Sequence, residues 1–344
     1  MPYPFRNMVF EGGGVKGIAY VGVMEVLEQK GILSRINRVG GTSAGAINAF
    51  LFATGYDVAE TQEVMQKLDF NKFKDDDWGV IRDSKRLINE FGLYKGDYFK
   101  SWLRELLERK GLSRNITFKS LHEKTGKELF VYATNLSTKF GEVYSPEHTP
   151  RMRVVDALRR SMSIPLFFKA VRDDREDVLV DGGVINNYPV KLFDREKYLN
   201  NRDLLRIPAY YEEENQKLIN EGVSIPPYMF NKETLGFRLD SKKEIAIFRD
   251  GDEPQRNNIE NFIDYAWQMI GTILSVQDSQ HLHSDDWQRT VYVNTLGVGT
   301  TDFDISNDKK SALIESGRLA AERYFEWWED EETDLAINHP ASTV

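Results

Sequence analysis

The chain is expected to fold as an α/β protein around a mostly parallel sheet. Short apolar runs alternate with helix-like segments through the first half, and Gly-rich turns stand where such a run hands over to a helix. Asn7–Phe10 is an apolar run that ends at Gly12-Gly13-Gly14. Val15 to Lys30 then reads as a helix, stopped by Gly31 in the position a helix terminator takes. Its small residues Gly17, Ala19 and Gly22 allow close approach to a sheet. Residues 36–39 form a second short strand, followed by Gly41-Thr42-Ser43-Ala44-Gly45 and an apolar helix to about Thr54. Strand, helix, strand, helix in that order implies a right-handed parallel βαβ unit.

Further along, residues 129–134 and 178–180 read as buried strands. Residues 69–100 are turn-rich, with the acidic run Asp75-Asp76-Asp77. Residues 200–258 are polar and hold Pro208, Pro226, Pro227 and Pro254, which suggests long surface loops around a strand at 235–239. A helix near 259–283 and a strand at 291–295 come next. Residues 308–328 carry an apolar stripe at Leu313, Gly317, Ala320, Ala321, Tyr324 and Trp328, the pattern of an amphipathic helix. No linker separates two independent domains. Residues 5–200 are expected to form the catalytic domain, with 201–344 completing it.

Composition removes several functions. Across 344 residues, 45 Lys and Arg face 54 Asp and Glu, a net charge of −9. Nucleic acid is therefore not expected as a partner, because phosphate binding needs clustered positive charge. Cys is absent, so there is no disulfide, thiol nucleophile or thiolate metal site. The N-terminus does not read as a signal peptide. The most apolar run, from Ala44 to Ala53, includes Asn48 and is too short to span a bilayer. A cytoplasmic protein that meets lipid only at a membrane surface is expected.

Three motifs carry chemistry. The first, Gly12-Gly13-Gly14-Val15-Lys16-Gly17, lies between a strand and a helix. Glycines let backbone N–H groups face a cavity, and a helix N-terminus behind them favours an anion, whether a phosphate or a developing oxyanion. The spacing also matches the dinucleotide fingerprint G-x-G-x-x-G, but that reading wants an acid about 20 residues on. Residues 31–40 hold Arg35 and Arg38 and no acid. A phosphate-binding Gly-Lys-Ser/Thr loop fails because Gly17 follows Lys16.

The second motif, Gly41-Thr42-Ser43-Ala44-Gly45, is a G-x-S-x-G between strand and helix. In that setting it is a nucleophile elbow, a sharp turn that exposes a Ser hydroxyl. The bland alternative is a Gly-rich helix start with a capping Ser. An elbow needs a base. Of the five histidines only His281 and His283 are plausible as the late His of the Ser–acid–His order, and neither follows a convincing strand. The third motif, Asp181-Gly182-Gly183 after Val178-Leu179-Val180, places an acid at a strand end, like a catalytic group at the carboxyl edge of a parallel sheet. An Asp within reach of Ser43 can take its proton with no His involved.

With these three motifs in this order, and with Ser161-Met162-Ser163-Ile164-Pro165 and Asn186-Asn187-Tyr188-Pro189 in support, residues 5–195 resemble the patatin-like phospholipase family. The resemblance implies a three-layer α/β/α sandwich and a lipid acyl hydrolase of phospholipase A or lysophospholipase type. It implies Ser43 as nucleophile and Asp181 as base, with Gly41, Gly45, Gly182 and Gly183 shaping the turns. It also implies an oxyanion hole from Gly12, Gly13, Gly14, Gly17 and Ala44, and neither metal nor cofactor. The partner would be a phospholipid or other acyl lipid met at a membrane surface. An unperturbed Asp181 would be ionised at neutral pH. Acyl transfer on the same two residues, a ligand-switched membrane-degrading effector and a silent lipid-binding regulator are the alternatives.

One departure is Lys16, where the family often has Arg; Lys grips a phosphate only as a point charge. Residues 151–172 hold six basic residues against Asp156 alone, so Lys16, Arg159 and Arg160 are head-group candidates, against a solvated helix face as the plain alternative. Phe167 and Phe168 would line an acyl pocket or pack in the core. Asp278, His281, His283, Asp285 and Asp286 cluster in sequence, but residues two apart diverge on a helix, which disfavours a metal there. Trp327-Trp328 reads as packing of the last helix rather than a membrane belt.

Overall fold

A computed structural model describes residues 3–75, 90–222, 228–240, 259, 269, 272 and 284–330. Among the described residues the central sheet has eight strands: β1 (Asn7–Phe10), β2 (Arg38–Thr42), β3 (Glu128–Asn135), β4 (Phe140–Tyr144), β5 (Val171–Arg172), β6 (Val178–Asp181), β7 (Thr234–Asp240) and β8 (Thr290–Asn294). Their order is β8-β7-β1-β2-β3-β6-β5, with β4 also on β3. From β8 to β3 all neighbours are parallel. Both β4 and β6 are antiparallel to β3. The sheet is thus mixed and largely parallel.

The register at β3 positions two of the three motifs. Tyr132 pairs with Thr42 of β2 and with Val143 of β4. Ala133 pairs with Glu142 of β4 and with Asp181 of β6. A strand has two edges, and β4 fills one of them from Val131 to Asn135. Strands β2 and β6 therefore share the other edge, running toward each other and ending at adjacent positions.

The longer helices are α1 (Tyr20–Gln29), α2 (Ala44–Ala53), α3 (Val58–Lys67), α4 (Asp97–Arg109), α5 (Phe118–Thr125), α6 (Val154–Ser161), α7 (Ala209–Asn220) and α8 (Asn307–Glu329). Alternate residues of a strand point to opposite faces. Met8 and Phe10 accordingly join the main core with Tyr20, Ile47, Phe50 and Leu313, while Val9 and Phe130 join a second core with Phe193 and Tyr198. The second face is the thinner layer, built on 3₁₀ turns at Val190–Phe193 and Glu196–Tyr198.

Local differences from the sequence reading are small. The first helix opens as a 3₁₀ turn, Gly14–Ala19, before α1. The second strand runs on to Thr42, so Gly41 belongs to it. The helix expected near 259–283 lies outside the described residues. The strand expected among surface loops is β7, and it sits inside the sheet between β8 and β1 with all seven residues buried. Its two charged residues, Arg238 and Asp240, pair with each other at 3.1 Å, which lets a charged stretch enter a sheet.

Helix α8 crosses α1 without room for a side chain at two glycines. A Cβ on Gly317 would stand 1.9 Å from the Ala19 carbonyl oxygen, and one on Gly22 would stand 1.8 Å from that of Ile314. Arg289, just before β8, is fully buried and donates to Asp194 at 2.7 Å and to Asp286 at 2.6 Å. It anchors the late strands to the turn after the third motif. Gly317→Val should force α8 off α1 and lower stability by about 1–3 kcal/mol, the usual cost of overpacking. A thermal melt checks this, and an unchanged midpoint would mean that the helices are not in close contact there.

Candidate active site

The elbow is built by close approaches on both sides of Ser43. Gly41, next to last in β2, lies against the start of α2, where a Cβ would lie 2.6 Å from the Gly45 carbonyl carbon. Gly45 passes β1, where a Cβ would lie 2.4 Å from the Phe10 carbonyl oxygen. Between them Ser43 adopts φ 54° and ψ −126°, a strained setting for a residue with a side chain. Ser43 is buried; its N–H donates to Ser161 Oγ at 2.9 Å, and its hydroxyl donates to Met162 Sδ at 3.4 Å.

The glycine loop comes alongside from the end of β1. A Cβ on Gly12 would meet Asn187 Oδ1 at 2.4 Å and Ser43 Cβ at 3.2 Å, so only glycine fits beside the nucleophile candidate. The Gly12 N–H donates to the Asn187 carbonyl at 3.0 Å. That removes Gly12 from the expected oxyanion donors. Gly17 is removed for a different reason: it lies inside the 3₁₀ turn, where a Cβ on it would stand 3.2 Å from Ala44 Cβ. Its carbonyl accepts from Asn48 Nδ2 at 3.2 Å, and the same Nδ2 donates to the Ala44 carbonyl at 3.0 Å. Gly14 and Ala44 each open a helical turn and Gly13 precedes one, so their N–H groups have no intrahelical acceptor. Gly14 has φ +55°, and the Thr300 carbonyl oxygen would sit 2.0 Å from any Cβ there. Lys16 is half-buried and folds its Cε toward Gly13.

Asp181 arrives from the opposite direction. It ends a strand antiparallel to β3, not a parallel one as its sequence setting suggested. It still reaches the carboxyl edge of the parallel strands, because β2 stops at Thr42 and leaves that edge of β3 open. Gly182 makes the junction: a Cβ there would meet the Tyr132 carbonyl oxygen at 2.5 Å and Thr42 Cγ2 at 2.9 Å. Asp181 Oδ1 accepts from the Gly183 N–H at 2.8 Å, while Oδ2 is buried with no hydrogen-bond partner. Burial pushes the carboxyl from 3.8 up to about 7, against the lowering effect of the Gly183 N–H and of the nearby Ser43 hydroxyl. The ordinary ionised state expected of an unperturbed Asp at neutral pH therefore does not carry over to this buried carboxyl.

A family model for the patatin-like phospholipase matches residues 8–194. The chain belongs to the patatin-like phospholipase family. YqhO of Bacillus subtilis is 30% identical over 333 residues, covering 93% of this chain and 98% of that protein. A probable lipid hydrolase, 463L of Invertebrate iridescent virus 6, is 31% identical over 191 residues, covering 56% of this chain and 64% of that one. The crystal structure of VipD from Legionella pneumophila shares the fold at a TM-score of 0.59 and 17% identity, covering 93% of this chain and 66% of that one.

Beside the elbow of this patatin-like chain lies a narrow apolar pocket. Gly14, Ala44 and Met162 line its site end, and Met65, Phe70, Phe73, Phe168 and Phe303 line the rest. Phe168 thus faces the pocket, whereas Phe167 packs on Tyr94, Phe168 and Phe303.

The basic run is used differently from the head-group expectation. Arg159 is 5% exposed and donates to Ser163 Oγ at 2.6 Å and to the Lys95 and Lys169 carbonyls at 2.7 and 2.9 Å. Burial lowers it to about 10, so it stays charged while serving as an internal strut. Arg160 lies over the Tyr144 ring at 5.3 Å and donates to its hydroxyl. Asp156 draws in both Arg153 and Lys100. His281, His283 and Asp278 lie outside the described residues. Asp285 and Asp286 are engaged by Arg206 and Arg289. Among the described residues no group of His, Cys, Asp and Glu is arranged to hold a metal, and no helix is long and apolar enough to cross a membrane. Trp328 packs on Phe5, with ring centroids 5.1 Å apart.

Four contributors had no assigned role from the sequence. Glu11 is buried and accepts from Asn187 Nδ2 at 3.2 Å. Asn187 and Ser161 sit inside stretches already noticed, and an acid closing an apolar run was a visible signal for Glu11. Thr300 had none, because it comes from far along the chain.

The folded chain holds the Asp181 proton more tightly than the unfolded one, so ionisation destabilises the fold and stability falls as pH rises from about 4 to about 7. Asp181→Asn escapes that penalty, and its melting temperature should gain on the wild type between pH 5 and pH 8. A gap independent of pH would mean an ordinary, solvated carboxyl. Arg159→Gln strands buried acceptors and should lower the melting temperature, with equal effects on anionic and neutral substrates per folded molecule. A selective loss on anionic lipid would restore the head-group role.

Proposed function

We propose that this chain is a lipid acyl hydrolase of phospholipase A or lysophospholipase type, with Ser43 as nucleophile and Asp181 as base. The observation that carries the reading is the meeting of β2 and β6 on one edge of β3, with Thr42 opposite Tyr132 and Asp181 opposite Ala133. It is supported by the N–H groups of Gly13, Gly14 and Ala44, which open two helices around the same point, and by the apolar pocket beside them.

In this reading an acyl chain enters the pocket and presents its ester carbonyl to Ser43. The hydroxyl leaves Met162, gives its proton to Asp181, and Oγ attacks the carbonyl carbon. The oxyanion is held by the N–H groups of Gly13, Gly14 and Ala44; losing one such donor typically costs about 2.7–4 kcal/mol of transition-state stabilisation. Collapse of the tetrahedral intermediate breaks the ester C–O bond, and the protonated Asp181 supplies the proton to the departing alcohol or lysolipid. Asp181 then activates water, which releases the fatty acid and restores Ser43. A base that titrates near the working pH suits both directions of this transfer. The lipid is met at a membrane surface, and no metal is called upon.

Wild type and Ser43→Ala are to be incubated with phospholipid vesicles, and free fatty acid and lysolipid measured by mass spectrometry. Fatty acid should come from the wild type alone, and activity in Ser43→Ala would end the proposal. For the wild type, kcat/KM should rise with pH to a plateau around a midpoint near 7, since only ionised Asp181 accepts the proton. A flat profile from pH 5 to pH 8 would exclude Asp181 as the base.

A further inference from the structure

The end of α6 grips both halves of the site through the backbone. Ser161 is 0% exposed; its Oγ accepts from the Ser43 N–H at 2.9 Å and donates to the Tyr132 carbonyl at 2.7 Å. Tyr132 is the register partner of Thr42, the last residue of β2. The hydroxyl therefore extends the ladder by one step, at the point where the chain leaves the sheet for the elbow. Two residues on, the Ser163 carbonyl accepts from the Asp181 N–H at 2.9 Å. Ser163 is itself fixed, because its Oγ accepts from Arg159 at 2.6 Å and donates to the Arg159 carbonyl at 2.8 Å.

We infer that Ser161 is a positioning residue, whose buried hydroxyl locks the Ser43 backbone against β3 and thereby sets the direction of Ser43 Oγ. The inference rests on Ser43 being the nucleophile. A backbone at φ 54° relaxes when its restraints are removed, and relaxation turns the attached Cβ–Oγ bond. Ser161 is not itself one of the pocket-lining residues, and its hydroxyl bonds to backbone groups rather than to the reacting oxygen. It acts through the backbone, so its loss should slow attack by Oγ without weakening substrate binding.

A purely structural hydroxyl would change stability alone, and the test is built on that contrast. Ser161→Ala and the near-isosteric Ser161→Cys, a poor hydrogen-bonding replacement, are compared with Gly317→Ala, a destabilising change in the remote α1–α8 crossing. All three are assayed as full chains well below their melting temperatures. Three quantities are read: kcat and KM on a neutral short-chain ester, and the rate of Ser43 labelling by a fluorophosphonate. In that labelling the Oγ–P bond forms, the P–F bond breaks with loss of fluoride, and Asp181 takes the hydroxyl proton. Both Ser161 variants should lose about 10- to 100-fold in kcat and in labelling rate, the scale of a small misplacement of a reacting group, with KM little changed. Gly317→Ala should keep its labelling rate. Labelling at the Gly317→Ala rate in a folded Ser161 variant would overturn the inference. Ser43→Ala run alongside separates the two questions. Turnover in Ser43→Ala removes the nucleophile reading and the inference with it. A silent Ser43→Ala beside a fully active Ser161→Ala removes the positioning role alone.

Discussion

Two strands run toward each other along one edge of β3, and the space where they meet is the candidate site. β2 arrives parallel and stops at Thr42; β6 arrives antiparallel and stops at Asp181. Neither can continue, because the other occupies its next pairing position. Each chain must leave the sheet at once, and each does so through a glycine-flanked turn. The clearances explain the residue choice: at Gly41, Gly45 and Gly182 a single added carbon would fall within 2.6 Å of backbone. Glycine here serves close approach more than unusual dihedrals. In the glycine loop, Gly14 at φ +55° combines the two.

The arrangement is unfavourable locally and is held by its surroundings. Ser43 is strained, and Asp181 Oδ2 is buried without a partner, so the fold keeps a carboxyl whose ionised form it penalises. In the proposed mechanism the same burial would make that carboxyl a better base at neutral pH, a conflict between stability and chemistry. The restraint comes from polar side chains that stitch backbone to backbone. Asn48 ties the glycine turn to α2, Asn187 ties the glycine loop to Glu11, and Ser161 ties the elbow to β3. Each satisfies buried groups that would otherwise be expensive, so the network is rigid as a unit.

The last third of the chain belongs to the same structure. β7 lies against β1 inside the sheet, and α8 lies against α1 with glycine on both sides of the crossing. Leu239 of β7 meets the glycine loop at Gly13, Thr300 meets it at Gly14, and Phe303 forms part of the pocket wall. The glycine loop is therefore clamped between the motif-bearing half and residues that carry no motif.

The sequence by itself determined the local chemistry. The order of strand, glycine loop, strand, elbow and Asp-Gly-Gly was readable, since turns that need glycine and apolar runs that need burial leave their mark within a few residues. Thus the family was legible from the chain alone, and so was the nomination of Ser43 and Asp181 as site candidates. Burial and pairing were decided only by the tertiary structure. Whether β6 ran parallel or antiparallel, which glycine N–H groups remained open, and whether Arg159 faced lipid or the interior all depended on residues distant in the chain. Arg159 illustrates the reason. Its position in a basic run suggested an exposed patch, but the partners that bury it, the Lys95 and Lys169 carbonyls, come from separate segments brought together by packing. Charge and periodicity are properties of neighbours in sequence; desolvation and hydrogen-bond satisfaction are properties of neighbours in space.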